Sequence, residues 1–240
     1  MSATRGLLAD TLPFSNVDGP GNRFVVFMQG CNFDCQACHN PQTIPTTSAH
    51  ARWATVPELL DEIRGPAPFL SGVTVSGGEA TQQWEFMRDL FAALRHPSFR
   101  GLTTMVDTNG SAPVEVWDEL APVMDGAMVD LKAFDDDLHQ RLTGQSNAPV
   151  LAAIEHLTRL GLLYEVRLLL APGVNDDPAM LARTAEWLHS VDPAMRVKII
   201  GFRRHGARAV AREWDESTPE HRDAAAAVLA AAGLLELCTV

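Results

Sequence analysis

The sequence predicts an α/β fold built on parallel strands, and three features of its 240 residues support this class. Six short, strongly apolar runs recur along the chain, as expected for strands that are buried on both faces. The stretches between these runs carry apolar residues at helical spacing. Because the two patterns alternate, the chain is organised as repeated βα units. An open doubly wound sheet and a barrel both satisfy this alternation.

The predicted strands indicate where the chemistry should lie. They cover residues 24–28, 72–75, 103–106, 127–131, 166–170 and 197–200. In an open sheet and in a barrel alike, functional groups gather at the carboxyl ends of parallel strands. We therefore expect the site residues directly after the apolar runs.

The predicted helices lie between these strands. Thr55 and Glu58 have the spacing of a capping box, with Pro57 in the first turn, where its missing N–H does no harm. Further apolar stripes at helical spacing lie in 86–94, 181–188 and 224–232. We interpret these stripes as core-facing surfaces without a chemical role.

Composition excludes several classes of partner. The chain has 19 basic and 30 acidic residues, hence a formal net charge of −11, and 46% of its residues are hydrophobic. Such an acidic protein is a poor general binder of nucleic acid or of an anionic membrane surface. No apolar run approaches the ~20 residues that a membrane helix requires, and residues 1–10 lack the apolar centre of a signal peptide. We expect a cytoplasmic protein with no nucleic-acid or membrane partner.

The cysteines are the most specific feature of the sequence. Cys31, Cys35 and Cys38 have the spacing C-x3-C-x2-C directly after the first predicted strand, whereas Cys238 stands alone and is interpreted as packed. Three thiolates on one loop can bind three irons of a four-iron cluster and leave the fourth iron open. Two alternatives are a zinc site that includes Cys38 and His39, and three inert buried thiols.

Polar residues also follow the second and third predicted strands. Gly77 and Gly78 allow the backbone to approach a ligand closely, although a plain turn explains the glycine pair equally well. Glu79 can pair with an ammonium group. Asp107 and Thr108 end the third strand, which is where site residues are expected.

The ordered set of motifs resembles the radical S-adenosylmethionine family, and within it the glycyl-radical enzyme activases, the group that includes the activating enzymes of pyruvate formate-lyase. The motifs are VDGPG at 17–21, the three-cysteine motif that begins at Cys31 and ends in CHN at 38–40, SGGE at 76–79, DTNG at 107–110 and DLK at 130–132. The resemblance covers nearly the whole chain. It implies a single domain over residues 1–240 with a partial (β/α)6 barrel of the radical SAM type.

The resemblance also implies an activity. Cys31, Cys35 and Cys38 would hold one [4Fe–4S] cluster, whose open iron would be chelated by the amino and carboxylate groups of S-adenosylmethionine. One-electron reduction would cleave this cofactor to a 5′-deoxyadenosyl radical, which would abstract a Cα hydrogen from a glycine of a partner glycyl-radical enzyme. Flavodoxin or ferredoxin would supply the electron. With four cysteines, the chain has no room for a ferredoxin-like insert with further clusters.

The family's binding residues carry over to named positions. Lys132 is implied as a catalytic residue that offers positive charge to the cofactor carboxylate, and Arg167 as a second carboxylate ligand. A sodium or potassium ion would be held by Asp107, Thr108, Asp130 and the carbonyl of Met128. The complete implied cofactor set is Asn40, Gly77, Gly78, Glu79, Asp107, Thr108, Asp130, Lys132, Arg167 and Arg203.

Alternatives accompany two of these assignments. Asp130 and Lys132 also fit an ion pair at the barrel rim. Arg167 lies inside an apolar run, where a charge is costly unless it is paired, so a structural salt bridge competes with a ligand role.

The chain departs from the family at two places. Ala37 stands where an aromatic residue normally packs near the adenine, and Phe33 or His39 could compensate. Arg203 stands where a histidine contacts the cofactor ribose, with His205 two residues further on; a basic surface loop explains Arg203 equally well.

Two rival functions remain open at the level of sequence. One is a radical S-adenosylmethionine enzyme that acts on a small molecule, similar to 7-carboxy-7-deazaguanine synthase. The other is a zinc-stabilised binding module without catalysis.

Overall fold

The computed structural model describes residues 4–234 and 236–240, so the first three residues of the N-terminal segment 1–10 lie outside the described residues. Strands and helices alternate along the chain, which confirms the predicted α/β class. Within the described residues, no helix combines the length and apolarity needed to cross a membrane.

The described residues form nine strands. They are β1 Arg5–Ser15, β2 Arg23–Met28, β3 Arg52–Thr55, β4 Gly72–Gly77, β5 Thr103–Thr108, β6 Gly126–Asp130, β7 Leu163–Leu170, β8 Arg196–Gly201 and β9 Glu236–Thr239. All six predicted strands are confirmed, as β2 and β4 to β8. The sequence analysis missed β1, β3 and β9.

Seven α-helices connect these strands in the described part of the chain. They are α1 Val56–Arg64, α2 Trp84–Leu94, α3 Val114–Leu120, α4 Asp136–Thr143, α5 Ala148–Arg159, α6 Pro178–Val191 and α7 Pro219–Ala231. The predicted capping box is present, because the Thr55 side chain accepts from the N–H of Glu58 and the Glu58 side chain accepts from the N–H of Thr55. Helices α3, α4 and α5 were not predicted.

The chain divides into two compact units. The first unit comprises Met1–Asn32, Gln42–Thr108 and Ala112–Met128, and the second comprises Phe33–Pro41, Asn109–Ser111 and Val129–Val240. The single domain expected from the sequence stays a prediction.

In the first unit, the strand order is β3-β1-β2-β4-β5. Strand β1 pairs antiparallel with β2 and β3, whereas β2, β4 and β5 run parallel. The carboxyl ends of these three parallel strands therefore lie at one edge, which is where the sequence places Cys31, the glycine pair and Asp107.

A buried arginine organises the opposite end of these parallel strands. The Arg23 side chain is fully buried, and its guanidinium donates to Thr74 Oγ1 (2.6 Å) and to the carbonyls of Val73, Thr103 and Pro20. The VDGPG motif therefore connects β1 to β2 as a turn that Arg23 holds in place.

In the second unit, β7, β8 and β9 are parallel and adjacent in that order. Helices α5 and α6 bury apolar side chains that are fully or almost fully inaccessible, among them Ile154, Leu157 and Leu188. Strand β7 ends at Leu170 and β8 ends at Gly201. The segments that follow these two strands contribute Ala171, Val174 and Trp214 to the surroundings of Cys35.

Candidate active site

The SGGE motif of the first unit lies against the chain that leads into Cys31. Gly78 N–H donates to the Met28 carbonyl (2.9 Å), and Glu79 N–H donates to the Gly30 carbonyl (2.8 Å). The N–H of Cys31 donates in turn to the carbonyl of Ile44 (3.0 Å). The carboxyl ends of β2 and β4 are thus joined by backbone hydrogen bonds next to the first cysteine.

The two glycines are needed for this close approach. Gly77 has a φ of +112°, and a Cβ built on it would lie 2.2 Å from the backbone nitrogen of Met28. A Cβ on Gly78 would lie 2.2 Å from the Gly30 carbonyl oxygen. Packing of backbone on backbone therefore accounts for the pair, and the roles of Gly77 and Gly78 in cofactor binding stay predictions.

Glu79 is a buried carboxylate with hydroxyl partners. Its side chain is 1% exposed, and Oε1 accepts from Thr81 N–H (3.0 Å), Thr81 Oγ1 (2.6 Å) and Thr108 Oγ1 (2.7 Å). Such bonds offset the cost of burying a carboxylate. The structure thereby joins two predicted site residues, Glu79 and Thr108, in one hydrogen bond.

The other residues of the predicted cation site lie in both units. In the first unit, Asp107 Oδ2 accepts from Ser76 Oγ (2.9 Å), and the Met128 side chain is fully buried. Asp130 belongs to the second unit. The sodium or potassium site stays a prediction.

The second unit contains Cys35 and Cys38, within the segment Phe33–Asn40, which we call the cysteine loop. Cys38 N–H donates to the Cys35 carbonyl (3.3 Å), and the backbone N–H of Asn40 donates to the Cys38 sulfur. All four cysteines lie among the described residues, have intermediate exposure and form no disulfide bond. Asn40, predicted to bind the cofactor, is exposed at the end of the loop.

Burial controls the acidity of these two thiols. It raises the pKa of Cys35 to about 11, with the positive charge of Lys132 acting in the opposite direction. Burial also raises the pKa of Cys38, against the effects of the Asn40 hydrogen bond and of Lys132. Because a metal ligand must be a thiolate, binding of iron here would have to supply the compensating positive charge and release protons.

Lys132 and Asp130 form the ion pair that the sequence analysis considered. Lys132 Nζ lies 2.6 Å from Asp130 Oδ2, and 19% of the lysine side chain and 29% of the aspartate side chain are exposed. The carbonyl of Lys132 accepts from Asn175 Nδ2 (3.0 Å). The pair does not conflict with a carboxylate-binding role for Lys132, which stays a prediction.

Arg167 forms the salt bridge that the sequence analysis weighed against a ligand role. Its Nε donates to Glu165 Oε1 (2.7 Å), and both side chains are buried. Glu165 Oε2 also pairs with Arg196 Nε at 3.2 Å. The sequence analysis missed Glu165, although its position two residues before Arg167 places both side chains on one face of β7. A ligand role for Arg167 stays a prediction.

A small pocket of about 20 Å³ opens beside Cys35 and Lys132 in the second unit. Its other walls include Ala37 of the cysteine loop, Leu169 and Val174. Trp214 closes a further side and was missed by the sequence analysis, because it lies far from every recognised motif. The pocket is mostly apolar and carries one cationic side chain, Lys132.

The two departures from the family pattern have structural consequences. Ala37 packs against a small core formed by Ala171, Phe202, Ala207 and Ala211, on which Trp214 also packs. Arg203 is exposed, and its carbonyl accepts from His39 Nε2 (2.8 Å). A ribose contact by Arg203 stays a prediction.

The aromatic candidates for compensation at Ala37 differ in their surroundings. Phe33 is buried against His139, with ring centroids 5.6 Å apart. The His39 ring instead packs against Phe202 at 5.7 Å. Trp214 lines the same pocket as Ala37, so an aromatic ring reaches this pocket from a different part of the chain.

The described residues also bear on the zinc alternative. Among residues 4–234 and 236–240, no group of three or more His, Cys, Asp or Glu side chains is close enough to hold one metal ion. The zinc alternative is distinguished from a cluster by metal analysis of the reconstituted protein.

Comparison with known proteins gives concordant similarities. The family model described as Radical SAM superfamily matches residues 25–185. A pyruvate formate-lyase-activating enzyme of Streptococcus mutans is 35% identical over 210 residues, which cover 84% of this chain and 79% of that protein.

Two solved structures resemble the chain. A domain of a pyruvate-formate lyase-activating enzyme from Bacteroides vulgatus has a TM-score of 0.59 at 25% identity and covers 71% of this chain and 99% of its own. A radical SAM methyltransferase from Sphaerobacter thermophilus has a TM-score of 0.67 at 22% identity, with coverage of 91% and 66%, and this likeness concerns the fold alone.

Proposed function

The chain belongs to the radical SAM superfamily and has its α/β fold of the partial (β/α)6 barrel type, and on this basis we propose that it is a glycyl-radical enzyme activase. The observation that carries the proposal is the similarity to pyruvate formate-lyase-activating enzymes along most of the chain. The name of these relatives gives the class of protein substrate, a glycyl-radical enzyme.

The donor set of the chain fits the implied iron–sulfur cluster. Cys31, Cys35 and Cys38 form no disulfide bond, and Asn40 donates a backbone N–H to the sulfur of Cys38. Such hydrogen bonds to sulfur are a usual feature of iron–sulfur ligation. Burial disfavours isolated thiolates at Cys35 and Cys38, so the charge of bound iron would be the main compensation.

When bound, a [4Fe–4S] cluster and S-adenosylmethionine would supply radical chemistry: one electron from an external donor would cleave the cofactor to methionine and a 5′-deoxyadenosyl radical able to take a glycine Cα hydrogen from the partner. The residues of this chain bind and orient the reactants and exclude water. Lys132 brings a compact positive charge beside Cys35, which suits a carboxylate ligand. The apolar side chains of Leu169, Val174 and Trp214 suit the less polar part of a nucleoside.

The proposed reaction requires an external electron, for which we propose a small one-electron carrier such as flavodoxin or ferredoxin. Beyond the three motif cysteines the chain has only Cys238, and a single thiol does not hold a second cluster. A cytoplasmic location, which would keep the thiols reduced, stays a prediction from the sequence.

The decisive experiment is anaerobic reconstitution with iron and sulfide, followed by an assay for S-adenosylmethionine cleavage. We expect about four irons per chain and release of 5′-deoxyadenosine upon reduction. Cys35→Ala should abolish both cluster assembly and cleavage, whereas the matched control Cys238→Ala should retain both. Near-stoichiometric zinc without iron, or cleavage by Cys35→Ala, would refute the cluster assignment.

The substrate class needs a separate measurement. Mixing the reduced, loaded protein with candidate glycyl-radical enzymes should produce a glycyl signal in electron paramagnetic resonance. Cleavage of S-adenosylmethionine without a glycyl signal from any candidate would favour the rival, an enzyme that acts on a small molecule. The two results together separate the cofactor chemistry from the identity of the partner.

A further inference from the structure

One side of the cysteine loop is fixed by the end of helix α4. The N–H of Asp34 donates to the Thr143 carbonyl (2.8 Å), and the N–H of Gln36 donates to the Leu142 carbonyl (2.8 Å). Gln36 Nε2 also donates to the carbonyl of Arg141 (2.8 Å). The last carbonyls of a helix lack partners within the helix, so the loop and α4 satisfy each other.

The carbonyl side of the same loop is held by one guanidinium group. Arg208 Nη1 donates to the carbonyls of Asp34 (2.9 Å) and Cys35 (3.1 Å), and to Asp34 Oδ1 (2.6 Å). The Asp34 side chain is 70% exposed, so the ion pair by itself contributes little. The distinctive feature is that a charged donor reaches two successive carbonyls, one of them that of a predicted cluster ligand.

The segment that carries Arg208 is anchored independently of these contacts. Phe202, Ala207 and Ala211 are buried and pack with Ala171 in the small core that also contacts Ala37. A Cβ on Gly206 would lie 3.3 Å from the His39 carbonyl, which shows how closely the two segments pass. Arg208 is therefore presented to the loop from a fixed support.

We propose that Arg208 is a positioning residue for the iron–sulfur cluster, holding the backbone carbonyls of Asp34 and Cys35 and placing a fixed positive charge beside the cluster. The inference rests on the proposed function, because it requires that the loop bind a cluster. A positive charge near a cluster favours its reduced, more negative form, and groups around metal ligands typically tune both affinity and potential. Arg208 therefore slows iron loss and raises the reduction potential.

The test compares Arg208→Gln with Arg212→Gln in the reconstituted protein. Arg212 belongs to the same segment and is exposed. Its side chain donates to the carbonyl of Ala207, which lies outside the cysteine loop. We expect R208Q to lose iron to a chelator roughly tenfold faster and to have a lower midpoint potential in a spectroscopic redox titration. R212Q should match the parent in both measurements.

A readout without the cluster complements these measurements. In the apoprotein, amide hydrogen exchange in the cysteine loop should be faster in R208Q than in R212Q, because the carbonyl clamp is lost. Arg208→Lys keeps the charge without the planar fork, so its rate of iron loss should fall between those of R208Q and the parent. If R208Q does not fold, R208K is compared with the parent instead. In that case, a rate of iron loss from R208K equal to that of the parent would refute the proposal.

The outcomes separate this inference from the proposed function. If the parent assembles no cluster, the proposed function fails. If the parent assembles a cluster and R208Q has the parent's potential, iron-loss rate and loop exchange, only the role of Arg208 fails. Slower amide hydrogen exchange in the cysteine loop of R208Q would likewise contradict the proposed role of the Arg208 hydrogen bonds.

Discussion

Lys132 joins three features of the second unit. Its ammonium group pairs with Asp130, its carbonyl accepts from Asn175, and its side chain lines the pocket beside Cys35. The side chain is largely buried but its partner is more exposed, so removal of the lysine leaves Asp130 accessible to water. Lys132 can therefore be replaced without leaving the Asp130 carboxylate buried and unpaired.

We predict that Lys132→Ala retains the cluster and loses affinity for S-adenosylmethionine. A charged hydrogen bond to the carboxylate is worth about 1.5–3 kcal/mol, so binding should weaken about 10- to 100-fold. Iron content and equilibrium binding of the cofactor are the measurements, with Lys198→Ala in β8 as the control. Unchanged affinity, or loss of iron in parallel, would contradict the assigned role.

His139 is a second residue with an informative environment. Its side chain is fully buried, and because Nδ1 contacts the Gln145 carbonyl (2.8 Å), that nitrogen carries the proton. Among the described residues, Nε2 is buried without a hydrogen-bond partner. Burial lowers the pKa of His139 below its ordinary value of 6.5, with Lys132 acting in the same direction and Asp136 opposing it.

This environment predicts a pH dependence of stability. The unfolded chain takes up a proton at His139 as the pH falls below about 6.5, whereas the folded chain resists it, so stability is lost as the pH falls from there toward the lowered pKa. His139→Asn, which keeps a donor near Gln145, should flatten the decline of the apoprotein's melting temperature between about pH 6.5 and 5. His50→Asn, at an exposed histidine, should leave the curve unchanged; an equal effect there would contradict the assignment.

At the scale of elements, the turn after β4 is specified by backbone packing. Gly78 and Glu79 hydrogen-bond to Met28 and Gly30, so this turn and the entry to the cysteine loop are built as one piece. A side chain at Gly78 would meet backbone oxygen, which cannot rotate away as the end of a flexible side chain could. The motif therefore constrains structure even before any ligand is considered.

We predict that Gly78→Ala destabilises the apoprotein by about 1–3 kcal/mol, the usual cost of overpacking. The matched control is Gly65→Ala, because a Cβ there meets nothing within 4 Å and the residue already has a helical φ of −61°. Urea unfolding under anaerobic, reducing conditions gives both free energies. Equal stability of the two variants would show that the backbone at Gly30 yields to a methyl group.

The elements that the sequence predicted share strong periodic signals, and those it missed lack them. Strands β2 and β4 to β8 each contain a short run that is mostly apolar and largely buried, although β8 alternates buried and half-buried positions. Strand β1 mixes buried and exposed positions irregularly, with Pro13 and two register shifts, and β3 and β9 have only four residues each. Their pairing depends on neighbours distant in sequence, which no local pattern encodes.

The candidate site shows the same division. Motif residues such as Cys35, Gly78 and Lys132 could be selected because they follow apolar runs. Glu165 and Arg208 could not, since their importance comes from partners on other segments: Glu165 bonds Arg196, and Arg208 bonds the cysteine loop across 173 residues of sequence. Sequence reasoning thus identifies candidate ligand and catalytic residues more readily than the residues that position them.

At the scale of the whole molecule, the chain path bears on how the protein unfolds. The chain passes between the two units at 32/33, 41/42, 108/109, 111/112 and 128/129. The last of these passages falls inside strand β6, and the first separates Cys31 from Cys35. Independent domains are normally joined by exposed linkers that few contacts cross, and a passage inside a strand is the opposite arrangement.

We therefore predict that the apoprotein unfolds in a single cooperative transition, as the single domain expected from the sequence requires. Because the chain passes between the units inside β6, unfolding of either unit would break this strand, so neither unit should persist after the other has melted. Calorimetry under anaerobic, reducing conditions should give a calorimetric enthalpy equal to the van't Hoff enthalpy. Two resolved transitions would mean that the units are separate domains despite the interleaved chain, and that the first cysteine can lose its fold independently of the other two.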